Sequence, residues 1–472
     1  MAHALLSRLV SRDGFPADPD FPQLAIAADP GRMLEVFRAH LKPAAGQRYH
    51  IEDCIPFRFR IRQSTTRCVL QYTLRIAEPA TGRAWEQWVT GLLYAQPGAA
   101  ESLWREAQSV EPRRDIPDGW LSFEPVHFIP DLQMVVQVFP YDRKLRNLSL
   151  VLGGALRNLE PQLLERLQPG RGAGPWQVLR RTVEPTRYRT ELGAALRYTI
   201  DARDGITGQE STVRCYLKVY RHDRGEETFR LLRSLTDTAG DGRGPYTVVR
   251  PLAYLSDLRT LVLEEARGTA LQQILLGDPE CSAQLQAVAR AVAAFNRGEL
   301  GVTPRVDSLA DQLDDVRRAA QLLQWACPRA RREVQAISDA VAQGLEEVTA
   351  APIHRDVKTD HVFLSGERVM FIDLDSVALG DPVRDPAHLF AHIVARVGMD
   401  QLPRAQARAA ARVFATEYFA HVPESWRKRF PLHCAGALIE VAGGIFKRQE
   451  QRWREKVATA IAEARGALDS RR

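Results

Sequence analysis

The chain has 472 residues, 45% hydrophobic and 26% charged, with a mean hydropathy of −0.27. That length exceeds the ~250–300 residues one core supports, and the composition excludes wholesale disorder, collagen-like repeats and an integral membrane protein. The net charge of +6 comes from the C-terminal end, where residues 401–472 carry 14 basic against 7 acidic side chains. This reads as a solvated helix face or, failing that, a patch for anionic partners; nucleic-acid binding ranks last. No stretch approaches the ~18 uncharged apolar residues of a membrane helix. Arg8 comes too early for a signal-peptide core, and the six cysteines are scattered with no CxxC pair. A reduced, cytoplasmic chain without structural zinc is expected.

Taken in chain order, residues 1–49 predict one helix, near 30–41. Beyond them the sequence repeats itself at an offset of 126. Tyr72 matches Tyr198, Thr81-Gly82 matches Thr207-Gly208, and Tyr94 matches Tyr220. Glu101 matches Glu227, Pro125 matches Pro251, Asp131-Leu132 matches Asp257-Leu258, and Leu145 matches Leu271. One constant offset that survives the loops predicts an internal duplication. Alternating apolar residues predict strands at 68–76 and 196–202, 88–95 and 213–220, and 133–139 and 260–264, with helices near 99–108 and 225–235. Each copy thus reads β-β-β-α-β-β, an antiparallel sheet carrying one helix. Gly170 to Pro175 reads as a linker. Beyond 270 the pattern predicts helices at 281–296, 308–326, 331–348 and 403–419, and a long stretch from 432 to 468.

Between those helices stands one short acid-rich segment, Ile353-His-Arg-Asp356 through His361 to Ile372-Asp373-Leu-Asp375, then Gly380-Asp-Pro-Val-Arg-Asp385. Two apolar strands, 361–364 and 369–372, flank the turn Ser365-Gly366. A hairpin of that kind brings Asp356 and Asp373 to one end with His361 nearby. Converging carboxylates need a cation or a proton, so a divalent-metal and proton-transfer site is predicted. Loop and helix caps account for Asp381 and Asp385, but not for HRD followed at this distance by IDLD.

HRDxxxxH, FIDLD and GDPxxDPA together resemble the catalytic half of the aminoglycoside phosphotransferase and choline kinase group, within the protein-kinase-like fold. The resemblance implies an α+β, two-lobed fold with an antiparallel small lobe and a mainly helical large lobe. It implies Asp356 as catalytic base, Asp373 and His361 as metal ligands, and Asp375 as a second metal or substrate contact. It implies ATP with magnesium, manganese being the alternative. In Tyr216-Leu-Lys218-Val-Tyr220, Lys218 resembles the lysine that grips the phosphates. Its expected partner is Glu227, and Glu264 to Ala266 resemble the hinge that binds adenine. Read alone, Lys218 would be an edge-strand lysine and Glu227 a helix-start carboxylate.

Two features depart from the family. No GxGxxG precedes Lys218; the turn 188–194 offers only Gly193, with Arg187 and Arg189. His361 stands where asparagine or glutamine is usual, although lipopolysaccharide-core sugar kinases also resemble HRDxxxxH. At the offset, Lys218 becomes Leu92 and Glu264-Glu265 become Val138-Phe139, so the first copy resembles a small lobe without nucleotide chemistry. The expected organisation is a helical segment 1–49, a degenerate lobe 50–165, a linker 166–174, a nucleotide lobe 175–268 and a catalytic helical lobe 269–472. The expected activity is ATP-dependent phosphorylation of a hydroxyl on a sugar, amino sugar or amino alcohol. Aspartates in 307–315 would suit a cationic acceptor. A regulatory pseudokinase is the rival, and nucleotidyl transfer is disfavoured by the intact HRD.

Overall fold

The computed structural model describes residues 15–44, 49–61, 66–109, 116–167, 175–239, 244–278, 280–302, 304–397 and 402–470. Most of the expected linker lies outside them. The described residues form two compact units, residues 15–227 with 251–265 and residues 228–250 with 266–470.

After a single helical turn at Leu24–Ala27, the first unit holds helix α1 (Pro30–His40), capped by the Asp29 side chain on the Arg32 amide at 3.0 Å. A first sheet follows: β1 (His50–Ile61), β2 (Arg67–Glu78), β3 (Arg83–Tyr94), then α2 (Ala99–Gln108), β4 (Val126–Ile129) and β5 (Met134–Val138). Two helices, α3 (Asn147–Leu152) and α4 (Glu160–Leu167), lead to β6 (Trp176–Arg189), β7 (Gly193–Asp204) and β8 (Glu210–Tyr220). Helix α5 (Arg224–Ala239), the short β9 (Tyr246–Val248), β10 (Pro251–Leu255) and β11 (Thr260–Glu264) come next.

The sheets run β1-β2-β3-β5-β4 and β6-β7-β8-β11-β10, all antiparallel and in the same order. Register follows the sequence offset. Val69 faces Leu92 and Leu92 faces Val135 in the first sheet; Ala195 faces Lys218 and Lys218 faces Leu261 in the second. The first-strand bulge at Ile51/Asp53 has its counterpart at Val178/Arg180, one residue off the common offset.

Alternation on β8 puts Val213, Cys215, Leu217 and Val219 in the core. They pack with Leu148, Val151, Leu163 and Leu164 of α3 and α4. These two helices were not expected from the sequence. Each is short, and their apolar residues are explained only by the distant sheet face they cover.

The second unit holds a small sheet, β12 (Thr269–Ala270), β14 (Val362–Ser365), β15 (Arg368–Phe371) and β9, the last pair parallel. A further pair joins β13 (Ala351–Ile353) to β16 (Ala378–Gly380). Gly268 is required here: its φ is +95°, and a Cβ would stand 2.1 Å from the Leu364 carbonyl oxygen. The main helices are α6 (Leu271–Gly277), α7 (Ser282–Arg297), α8 (Leu309–Ala326), α9 (Arg331–Gly344), α10 (Arg384–His392), α11 (Arg404–Ala420), α12 (Phe430–Lys447) and α13 (Trp453–Asp469), with a short turn of helix at Glu424–Arg427. The long stretch expected at 432–468 is therefore two helices. The chain breaks at Gln449 and Arg452, both at positive φ, and Glu450 ties the break by pairing with Arg448 at 2.7 Å and Lys456 at 3.1 Å.

Much of the C-terminal basic surplus is likewise paired within the chain. Arg404 and Arg408 meet Glu463, and Arg429 meets Asp381. Among the described residues no helix is long and apolar enough to cross a membrane.

Candidate active site

The hairpin β14–β15 forms where the alternating Val362, Leu364, Val369 and Phe371 bury one face. Gly366 takes the left-handed φ of +64° its turn demands. Register pairs Val362 with Phe371, so the residues flanking the two strands meet at one end. There Asp356, His361 and Asp373 bring one ligand atom each to within 4.8 Å of one another. Asp375, on the turn Leu374–Ser376, is half-buried and lies outside that group.

His361 fixes the chemistry. Its Nδ1 donates to the Asp356 carbonyl oxygen at 2.9 Å, which leaves Nε2 with a lone pair. That lone pair faces Asp373 Oδ2 at 3.2 Å. Burial, then the Lys358 ammonium, push the imidazole down to about 4 in spite of the two aspartates. A neutral imidazole lone pair and a carboxylate repel each other at that distance, so the donor set fits a cation held between them. Imidazole with two carboxylates suits a divalent metal.

Asp356 is held towards its ionised form. Burial pushes its carboxyl up, but Lys358, His361 and His388 outweigh burial and hold it below the usual carboxylate range. Lys358 Nζ lies 3.1 Å from Asp356 Oδ2 and is almost fully buried. Sequence patterning does not single out Lys358, whose neighbours Val357 and Thr359 are both buried.

The loop carrying Asp356 is held from behind. Asp385 accepts from the amides of His354 and Arg355 at 2.7 and 2.8 Å and from Asn296 Nδ2 at 2.8 Å. These bonds support Arg355 at a φ of +69°, a backbone state that costs a non-glycine residue energy; Asp373 stands at a φ of +61°. Asp381 is bound by Arg429 through both oxygens at 2.9 Å and by His433 at 2.9 Å.

The aspartates of 307–315 do not form an open cation pocket. Asp307 pairs with Arg355 at 2.8 Å and with Arg384, and Asp315 pairs with the same two arginines at 2.6 and 2.8 Å. Asp311 closes the capping box with Ser308, and Asp314 pairs with Arg317. Internal arginines 40 to 77 residues away already neutralise the charge that suggested a cationic acceptor.

In the other unit, Lys218 sits on the central strand β8, between β7 and β11. An edge-strand lysine is excluded. It is half-buried on the face opposite Cys215 and Leu217. Glu227 is exposed in the first turn of α5. Glu264 ends β11 nearly buried, and Ala266 follows in the segment that leaves the strand.

Residues 205–422, which include β8, the Asp356 loop and the hairpin, match the model of the phosphotransferase enzyme family. The match spans 218 of the 472 residues, and that stretch is similar to the family. No curated protein matches the chain by sequence. The chain is similar to a choline kinase from Cryptosporidium parvum Iowa II, at 9% identity over 66% of this chain and 96% of that one, with a TM-score of 0.45. A choline kinase from Streptococcus pneumoniae is similar at 14% identity, 67% and 100% coverage and a TM-score of 0.40. An aminoglycoside phosphotransferase from Streptomyces rimosus is similar at 19% identity, 60% and 98% coverage and a TM-score of 0.36.

Proposed function

We propose that the chain transfers the γ-phosphoryl group of ATP to a hydroxyl of a small molecule. The single observation that carries this reading is the convergence of Asp356, His361 and Asp373 at the end of one hairpin, inside a stretch similar to the phosphotransferase family.

Asp356, kept ionised by Lys358, accepts the acceptor hydroxyl's proton as its oxygen bonds to phosphorus. The bond to the bridging oxygen breaks, and ADP leaves with that oxygen's electron pair. A divalent ion, magnesium or manganese, held by Asp373 and His361 would neutralise charge on the phosphates. Lys358 stands ready to shield the charge that develops beside Asp356. Lys218 would grip the phosphates with Glu227 as its orienting partner, and the strand end at 264–266 would receive adenine. Positioning and charge neutralisation do the catalytic work. Asp375 is assigned a substrate-side role. The first sheet is read as a duplicated small lobe that has lost nucleotide binding, since Leu92 and Val138 replace the residues that matter. Binding of a nucleotide by some of the similar proteins, as in an amicoumacin kinase complex with AMP-PNP, accords with this.

The acceptor is left at the level of a small hydroxyl compound, because the aspartates that favoured a cation are paired internally. The test is acceptor-dependent ADP release over sugars, amino sugars and amino alcohols, with magnesium and with manganese, beside Asp356→Asn. Turnover that the substitution removes supports the reading; turnover that survives Asp356→Asn sinks the assigned base.

A further inference from the structure

The turn between β6 and β7 (residues 190–192) replaces the glycine-rich loop that would cover the nucleotide phosphates. A turn at the tip of a two-strand ribbon is ordinarily the most solvated part of a sheet. Here Thr190 and Glu191 are each only 2% exposed. Glu191 takes a φ of +61°, a conformation glycine adopts freely and other residues adopt at a cost.

The contacts that hold this turn come largely from the first sheet and the segment after it. Glu191 is bound by Arg67, at the start of β2, through both nitrogens at 3.1 and 2.6 Å. Arg143 donates to it at 2.9 Å, and Lys144 Nζ stands at 3.6 Å. The Glu191 amide donates to Asp142 at 2.6 Å, and the same Asp142 oxygen accepts from Tyr188 at 2.8 Å. The Thr90 and Thr190 hydroxyls meet at 2.7 Å, and Arg60 donates to the Thr190 carbonyl at 3.4 Å. The chain therefore contacts both backbone and side chain of the turn at once.

We infer that the first sheet is a positioning clamp for the phosphate-side turn of the second, substituting fixed external contacts for the missing glycines. The inference rests on the nucleotide reading of the second sheet. A glycine-rich loop pays conformational entropy when it closes on phosphates; a turn already fixed does not. Glu191 and Asp142 are positioning residues; neither is assigned contact with nucleotide.

The test is titration calorimetry of AMP-PNP with magnesium into the full chain, well below its melting temperature, with hydrogen exchange read over residues 188–193. Glu191→Gln, which keeps shape but leaves three cations around a neutral group, should raise Kd about tenfold and speed exchange in the turn. Thr90→Val, on the first sheet only, should raise Kd about twofold to threefold. Glu210→Gln, in the exposed Arg203–Glu210 pair at the opposite end of the same sheet, should change neither. If Glu191→Gln does not fold, Thr90→Val decides. Unchanged Kd in either folded variant overturns the clamp while leaving the phosphotransferase reading in place. A wild-type chain that binds no AMP-PNP overturns both.

Discussion

At one position in two sheets of the same order stand Leu92 and Lys218. Leu92 is fully buried and packs with Ala100 and Ala107 of α2, Val69 and Val135. Lys218, in the same register between equivalent strands, is half-buried. The helix-start glutamates diverge in the same way: Glu101 pairs with Arg105 of its own helix at 2.6 Å, whereas Glu227 is assigned to Lys218. The first sheet's helix packs onto it through apolar contacts at this position. One strand order thus carries a buried leucine in one place and a half-buried lysine in the other.

The comparison can be broken most forcefully from the first sheet. Leu92→Lys buries an ammonium with no partner and removes packing, and should cost about 4 kcal/mol by denaturant unfolding. A neutral result would mean that the first sheet could still host a charge there. From the second sheet, Lys218→Leu should reduce phosphoryl transfer about a hundredfold, roughly 3 kcal/mol, while leaving unfolding nearly unchanged. A loss of stability instead would make Lys218 a structural residue.

The contact between the two sheets supplies a pH test. Burial pushes Glu191 up, but Arg67, Arg143 and Lys144 prevail and hold it at about 2. A depressed carboxyl contributes stability that is fully present above its ordinary value, 4.5, and lost as pH falls towards 2. That contribution is about 3 kcal/mol. The stability gap between wild type and Glu191→Gln should therefore shrink between pH 5 and pH 2; a gap independent of pH would contradict the ion-pair account. The smallest effect belongs to Glu101→Gln, which should cost about 0.3 kcal/mol by thermal melting because its pair with Arg105 is exposed.

The sequence reveals most where a pattern is local. Alternation located the hairpin strands to within about one residue, and the spacing of Asp356, His361 and Asp373 foretold their meeting because a hairpin's ends are bound to converge. The 126 offset was visible because strand register leaves no freedom to drift. What was hidden depends on partners distant in the chain. Helices α3 and α4 make sense only against a sheet face formed tens of residues later. The pairing of Asp307 and Asp315 with Arg355 and Arg384 turns an apparent cation site into a structural network, and no local periodicity encodes it. The break between α12 and α13 rests on two residues at positive φ that carry no glycine to announce them.

The central claim is that one of two sheets alike in order and register binds nucleotide and the other does not. Calorimetric titration of AMP-PNP with magnesium tests it most directly, on wild type, Lys218→Leu and Leu92→Ala. The account predicts one site per chain, lost in Lys218→Leu and retained in folded Leu92→Ala. Two sites per chain, or binding that survives Lys218→Leu unchanged, would contradict it.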